Sequence, residues 1–325
     1  VDALLGTGLD REVAGEYARV VDAVNELDTP VLAVDTPSGL SSLTGEIMGI
    51  AVRADVTVSF VGLKQGFFLG AGPDYVGRLE FDDLAIPVAE LDAVPVAMRI
   101  FDAAEAALQL PRRSRAAHKA THGHVLVVGG NTGMGGAARL AGEAALRTGA
   151  GLVSLATRPE NVSAINAGRP ELMCHPVEAP GQLDPLLERA TVVAIGPGLG
   201  ADDWAVPLWE RIGAAQLPLV VDADALNLLA RNPARRDDWI LTPHPGEAAR
   251  LLGTTTAAVQ SDRLAALADL QSRYGGVILL KGNGTLISAG EQVPWLIRAG
   301  NPGMGTAGMG DVLTGICAGL LAQAE

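Results

Sequence analysis

The sequence predicts an α/β protein of two units in series, the second built on an open, mostly parallel sheet, and three observations carry that prediction. Short runs of Val, Leu, Ile and Ala, such as Val31-Leu-Ala-Val-Asp35 and His124-Val-Leu-Val-Val-Gly129, end in glycine or proline turns. Segments of helical period separate the runs, which is the rhythm of strand–helix–strand units. Residues 88–121 break the rhythm with Pro95, Pro111 and the basic stretch Arg112-Arg113-Ser-Arg115, and so read as a linker.

Taken in order, Val13, Tyr17, Val20, Val21, Val24 and Leu27 have the spacing of an amphipathic helix. Val31–Asp35 reads as a buried strand ended by Thr36-Pro-Ser-Gly39, and Asp55–Phe60 as the next strand. After the linker come a strand at His124, a glycine loop, and a helix from Ala137 to Thr148. Further strands are expected at Leu152–Ala156, Val192–Ile195, Leu219–Asp222, Trp239–Leu241 and Val277–Leu280, with a helix at Arg263–Tyr274. Lys281-Gly-Asn-Gly-Thr285 has the Asn-Gly pair of a tight hairpin, followed by Leu286-Ile-Ser288. The chain opens at Val1 inside what reads as a strand and stops at Glu325 in or just after the last helix, the ends of a partial chain.

The 325 residues suffice for about two domains. With 48% hydrophobic residues, 40 Gly and only 4% aromatics, the cores are expected to be Ala, Val and Leu. Net charge is −13, from 24 basic and 37 acidic residues, which argues against a nucleic-acid partner. Cys174 and Cys317 lie far apart and, with five scattered histidines, form no metal-ligand pattern, so a reduced cytoplasm is the expected compartment. No apolar run reaches the length of a membrane span, and no membrane partner is expected.

The chemistry concentrates in Asn301-Pro-Gly-Met-Gly-Thr-Ala-Gly-Met-Gly-Asp311, which runs into the apolar segment Val312–Leu321. A helix start offers unpaired N–H groups and the positive end of a dipole, so it suits phosphate. Asp311 would repel phosphate if binding were the whole task. It makes sense as a base that takes the proton of an acceptor hydroxyl while the amides hold the transferring phosphoryl group. The plain alternative is an N-cap.

Gly129–Gly136 lacks the Walker lysine and the GxGxxG spacing, so it is neither familiar phosphate loop. Gly196-Pro-Gly-Leu-Gly200 ends a strand on the edge where ligands gather. Of Asp222-Ala-Asp-Ala-Leu-Asn227, Asp224 reads as a simple N-cap and Asp222 as a weaker candidate for the site. Two prolines hold His244 in Thr242-Pro-His-Pro-Gly-Glu247, which favours a ligand contact. Lys281 either reaches nucleotide phosphate or is a solvated hairpin lysine. In the first unit, Asp2 and Asp35 each sit at a strand end, and Asp35-Thr-Pro-Ser-Gly39 offers a carboxylate and a hydroxyl for a cation or for acid–base work.

Together these motifs resemble one family, the bifunctional NAD(P)H-hydrate repair enzymes. The likeness in the second unit runs through His118-Lys119, Gly129–Asn131, Gly142–Leu146, Gly149–Gly151, Gly196–Gly200, Asp222–Asn227, Thr242–Glu247, Lys281–Thr285 and Asn301–Thr314. In the first unit it runs through Asp2–Gly8, Asp35–Gly39 and Leu63-Lys64. The resemblance implies a partial Rossmann-like epimerase domain over residues 1–100. An ADP-dependent dehydratase with a ribokinase-like fold would follow over 101–325. It implies dehydration of S-NAD(P)HX to NAD(P)H with release of AMP and phosphate, and epimerisation of R- and S-NAD(P)HX by the N-terminal domain.

By the same resemblance Asp311 and Asp35 are catalytic, and Ala137, Gly198, His244 and Asp311 contact the hydrate in the dehydratase. Gly6, Thr7, Gly8, Leu9, Asp10, Arg11, Glu12 and Asp35 would contact it in the epimerase. Lys281, Gly282, Asn283, Gly284, Thr285 and Gly310 would bind nucleotide, with amides of residues 305–310 holding the phosphoryl group. Asp2 and Ser38 would hold K+, Mg2+ would accompany ADP, and a homo-oligomer is expected. Ala307 stands where the motif often has glycine, a cost on the order of 1 kcal/mol if φ must be positive there. The other reading is a ribokinase-like small-molecule kinase that ends at a stable phosphate ester.

Overall fold

The computed structural model describes residues 1–91, 93–110 and 112–324; Pro111 of the expected linker and the final Glu325 lie outside them. The strands are β1 (Leu32–Val34), β2 (Val56–Phe60), β3 (Arg78–Asp82), β4 (Arg99–Ile100), β5 (His124–Val128), β6 (Leu152–Thr157) and β7 (Met173–Pro176). They continue with β8 (Val192–Ile195), β9 (Leu219–Val221), β10 (Trp239–Leu241), β11 (Val277–Leu280), β12 (Thr285–Ala289) and β13 (Trp295–Ile297).

The first unit is a parallel sheet in the order β1-β2-β3, with Asp2 bridged in parallel to Ala33 beside β1. Its helix, Gly15–Asn25, forms where the periodicity put it, and Val21, with Ala18 and Val24 beside it, packs on Val13 and Val52 in a small core that only part of the predicted apolar face reaches. Val21 is buried while Tyr17, Val20 and Leu27 are exposed. Val31–Asp35 is likewise not a buried strand: Ala33 faces inward, whereas Leu32 and Val34 flank it in the open. Both elements stand at one margin of a small sheet, where period alone cannot say what lies opposite.

The second unit is a ten-stranded sheet ordered β4-β13-β12-β11-β10-β9-β8-β5-β6-β7. Every pairing is parallel except the two made by β12. Helices cover both faces, so the central strands are continuous apolar runs whose alternate residues enter two cores. Leu126, Val128, Val193, Ile195 and Val221 belong to one core, and Val125, Val127, Val153, Ala194 and Val220 to the other.

The 88–121 stretch is not a plain linker. It holds a short helix, Val88–Leu91, and the helix Ala103–Gln109, and its β4 pairs with β13 at the edge of the large sheet. Strands β3, β4, β7 and β13 carry little of the apolar alternation that marks a strand, and the sequence did not signal them.

The chain leaves β5 for β6 and β7 on one side, then returns to place β8 on the other. That reversal is a topological switch point, and it opens a crevice beyond the C-terminal ends of β5 and β8. The two loops there interlock: Gly130 and Asn131 donate N–H groups to the carbonyls of Pro197 at 3.0 Å and Gly198 at 2.7 Å. The helix Met309–Leu321 packs closely on Gly135–Thr148, with Gly315 and Gly319 set against the carbonyls of Ala141 and Ala145. This contact aims the start of the final helix at the crevice.

Candidate active site

Five of the predicted motifs end on one rim of the large sheet because they follow parallel strands. Gly129–Gly136 follows β5, Gly196–Gly200 follows β8, Asp222 follows β9, Thr242–Glu247 follows β10 and Lys281–Gly284 follows β11. Gly198 lies against Ala137, a Cβ there being 3.2 Å from the alanine's own.

At the centre is a network anchored on Asp222, which is 1% exposed. Lys281 Nζ donates to its Oδ1 at 2.8 Å, and Thr314 Oγ1 of the final helix donates to its Oδ2 at 2.8 Å. Lys281 Nζ also lies 3.8 Å from Glu247 Oε2. A Cβ on Gly310 would be 3.5 Å from both Asp222 Oδ2 and Lys281 Nζ, so the helix start touches the pair directly. Asp222 is therefore central rather than the weaker candidate. Ala223 beside it is held at φ 47°, a strained value for a residue with a side chain. Lys281 is not a solvated hairpin lysine, its side chain being only 19% exposed. Asp224 is not the N-cap expected of it: its Oδ2 accepts the N–H of Gly200 at 2.8 Å, tying the helix Ala223–Arg231 to the glycine loop.

Asp311 is not an N-cap either. Gly308, at φ 89°, occupies that place, and Asp311 lies in the first turn of the helix Met309–Leu321. Burial pushes its pKa up to about 6; the charge of Asp222 adds to the rise, Lys281 opposes it and Asp224 adds a little more. The first-turn N–H groups around it have no carbonyl below them in the helix. Gly305 is an exception to the expected amide cradle, because its N–H is already given to Pro302 O at 3.1 Å. Ala307 is absent from the positive-φ residues, so the left-handed position falls on Gly308 and alanine carries no such strain.

His244 has a structural task that the two prolines did not reveal. Its Nδ1 accepts the N–H of Gly246 at 3.0 Å, and Glu247 Oε2 accepts the His244 N–H at 2.8 Å, a reciprocal cap on the helix Pro245–Leu252. Nδ1 is thereby the acceptor and Nε2 carries the proton, on a side chain 50% exposed. Burial, with Lys281 and Arg250 nearby, lowers its pKa, while burial raises that of Glu247. His244→Asn, which can keep the cap, is expected to leave the melting temperature near wild type and to raise KM for the substrate. His244→Ala is expected to cost about 1 kcal/mol in addition. Thermal melts set against KM values separate the two roles.

The Lys281–Thr285 turn joins β11 to β12 as the hairpin reading expected. Arg263, 3% exposed, braces it from within, its guanidinium reaching the carbonyls of Leu280 at 3.2 Å, Lys281 at 3.3 Å and Gly284 at 3.2 Å. Neither Arg263 nor Thr314 carried a sequence signal of its own, since the partners named here lie 17 or more residues away.

In the first unit Asp2 and Ser38 meet. Ser38 Oγ donates to Asp2 Oδ1 at 2.6 Å, Ser38 N to Oδ2 at 2.8 Å, and both residues are buried. Ser38 Oγ also lies 3.3 Å from Leu5 O, and the buried hydroxyl of Thr36, on the same turn, has no partner among the described residues. Asp35 does not pair with Ser38, as the spacing of its motif suggested. It stands at φ 66° and its Oδ1 accepts Lys64 Nζ at 2.5 Å. Lys64 is thus the partner of that carboxylate. Gly6–Glu12 forms a loop beside them, with Leu9 half-buried and the remaining residues exposed.

Comparison with known proteins identifies the family. The NAD(P)H-hydrate dehydratase family matches residues 125–325, and the YjeF-related protein N-terminus matches residues 1–66. The chain is 52% identical to a bifunctional NAD(P)H-hydrate repair enzyme of Coxiella burnetii, over 99% of this chain and 66% of that protein. It is 45% identical to the corresponding protein of Escherichia coli, over 99% of this chain and 62% of that one. The chain thus spans just under two thirds of the length of these curated relatives. Among solved structures, an ADP/ATP-dependent NAD(P)H-hydrate dehydratase from Bacillus subtilis, co-crystallized with ATP/Mg2+, aligns with a TM-score of 0.65 at 31% identity, covering 71% of this chain and 84% of that one. A ribokinase-like superfamily protein from Enterococcus faecalis aligns with a TM-score of 0.65 at 32% identity, covering 70% and 81%. The large sheet is accordingly ribokinase-like, and the chain belongs to the NAD(P)H-hydrate dehydratase family.

Proposed function

We propose that the second unit dehydrates S-NAD(P)HX to NAD(P)H at the expense of ADP, with Asp311 as the base. The observation that carries this reading is Asp311 itself: a half-buried carboxyl with a raised pKa, at the start of a helix it does not cap. Asp311 takes the proton of the hydrate's hydroxyl as that oxygen bonds to the β-phosphorus of ADP and AMP leaves. The amides of residues 306–310 stabilise the charge on the transferring group. The phosphate ester then loses inorganic phosphate as its C–O bond breaks and the neighbouring ring carbon gives up a proton to solvent, restoring the dihydropyridine. Asp222 keeps Lys281 beside Gly310, where the amine meets nucleotide phosphate together with the Gly282–Thr285 turn. Ala137, Gly198 and His244 Nε2 line the hydrate side.

Mg2+ would be held through one or two carboxylates of this rim, Asp311 or Asp224, together with nucleotide phosphate, the donor set that ion takes. Bound there, it would neutralise phosphate charge during transfer. For the first unit the proposal is epimerisation of R- and S-NAD(P)HX, with Asp35 and Lys64 at the hydroxyl-bearing carbon and Gly6–Glu12 against the dinucleotide. The oxygens of Asp2, Ser38 and Leu5 converge as a K+ site requires. A homo-oligomer acting in the cytoplasm completes the proposal; no helix among the described residues is long and apolar enough to cross a membrane. The units are proposed to divide near residue 100.

The test is dihydronicotinamide absorbance after ADP and Mg2+ are added to the protein with S-NADHX. An ADP-dependent rise is expected. ADP consumption with a stable phosphate ester and no rise would replace this reading with that of a small-molecule kinase.

A further inference from the structure

We infer that the Phe68 segment of the first unit positions the Lys281–Thr285 turn of the second, so that nucleotide affinity depends on both units. The inference rests on the reading of that turn as the nucleotide site. The turn is held from two directions. From inside the second unit, the Arg263 guanidinium reaches its carbonyls. From the first unit, the carbonyl oxygen of Phe68 presses against Gly284, which stands at φ 66°, so closely that a Cβ there would run into it. Only glycine satisfies both the left-handed backbone and that approach.

The Phe68 segment is itself anchored on both sides. The Phe68 ring packs against the larger core of the second unit and against the Leu40–Phe67 cluster of the first. The guanidinium of Arg298, just past β13, covers it at 5.3 Å from the ring centroid. The next residue, Leu69, is buried within the second unit's core cluster. Toward the first unit, Phe68 N donates to Gln65 O at 3.1 Å, closing the 3-10 turn Gln65–Phe67. That turn begins directly after Lys64, whose amine sits on Asp35. Four residues therefore connect the Asp35–Lys64 ion pair of the first site to the backbone against which the nucleotide turn rests. Coupling through such a contact is reciprocal: whatever the segment does to nucleotide affinity, bound nucleotide does to the segment.

The experiment uses ADP with Mg2+ as the probe on the whole chain. In Phe68→Ala the Kd for ADP, by titration calorimetry, is expected to rise about fivefold to tenfold. At saturating ADP, kcat and the KM for the hydrate should stay at wild-type values, a split that general loosening of the fold would not produce. In the wild type, amide exchange at residues 64–70 is expected to slow when ADP binds. If Phe68→Ala does not fold, Arg298→Ala, which uncovers the ring from the exposed side, carries the same expectation at about twofold to threefold. An unchanged Kd in whichever variant folds, or unchanged exchange at 64–70, overturns the inference and leaves the nucleotide reading standing. A wild-type protein that binds no ADP overturns both.

Discussion

Asp311→Asn is expected to abolish turnover and at the same time to stabilise the fold. The loss follows from removing the base: general-base catalysis contributes about 10²–10⁴-fold, and an amide cannot accept the hydroxyl proton. The gain follows from linkage. The Asp311 pKa rises from the ordinary aspartate value of 3.8 to about 6, so the folded state binds a proton more tightly than the unfolded one. Between those values folding takes up a proton, so stability falls as pH rises and the penalty is complete above about 6. Asparagine removes a charge that burial and Asp222 both disfavour. Because Asp311 is only half-buried, solvent screening moderates the benefit, and a rise of about 2–4 °C in melting temperature is expected at pH 8. The difference should vanish near pH 4. Melts at the two pH values, with a turnover assay, check both halves. In the wild type, activity should fall as pH drops through about 6, where the base becomes protonated. Equal melting curves at pH 8 would mean that the carboxylate is not held at a cost.

Asp222→Asn is expected to damage stability and to retune Asp311. Asp222 accepts from both Lys281 and Thr314, two donors converging on one buried carboxylate. An amide offers one oxygen to them and turns its NH2 toward the other, while the ammonium loses its counter-charge. Breaking a buried pair from one side costs about 3–5 kcal/mol, and the partial exposure of Lys281 puts this case near the lower end. The shift in denaturant midpoint measures that cost. The second effect is on pH: the Asp222 charge is the next cause after burial of the raised Asp311 pKa, and Lys281 opposes it. Without the Asp222 charge the acid limb of the pH–rate profile should move below its wild-type position. A limb that stayed in place would show that Asp222 only holds the fold together and does not tune the base.

Much of the second unit was legible because its strands are buried on both faces and its loops carry glycine where ligands gather. Lengths and ends of β5, β8, β10 and β11 could be read from apolar runs alone. Strands at sheet margins could not. β3, β4, β7 and β13 lack that double burial, and the edge pairing of Arg99–Ile100 with β13 has no local signature. The helix Gly15–Asn25 shows the converse: its period was correct, yet Tyr17 and Val20 remain exposed because period does not report what lies across from a face.

The candidate site divides in the same way. The glycines, Asp311, His244 and Lys281 were visible as residue types at strand ends, where backbone geometry and the helix start already demand them. Their partners were not. Thr314 reaches Asp222 across 92 positions, Lys64 reaches Asp35 across 29, and Arg263 reaches Gly284 across 21. Asp222, read as a weak candidate, anchors the network; Asp224, read as an N-cap, holds Gly200; and His244 gained a capping role. By itself, then, the sequence determined the α/β architecture, the rim on which the glycine loops gather and the carboxylate in the first turn of the final helix, because these follow from local period, turns and helix ends. Only the tertiary structure decided which charges neutralise each other and how far Asp311 is buried, because pairing and desolvation depend on what the sheet order brings together. It also decided that Phe68 stands behind the Lys281–Thr285 turn.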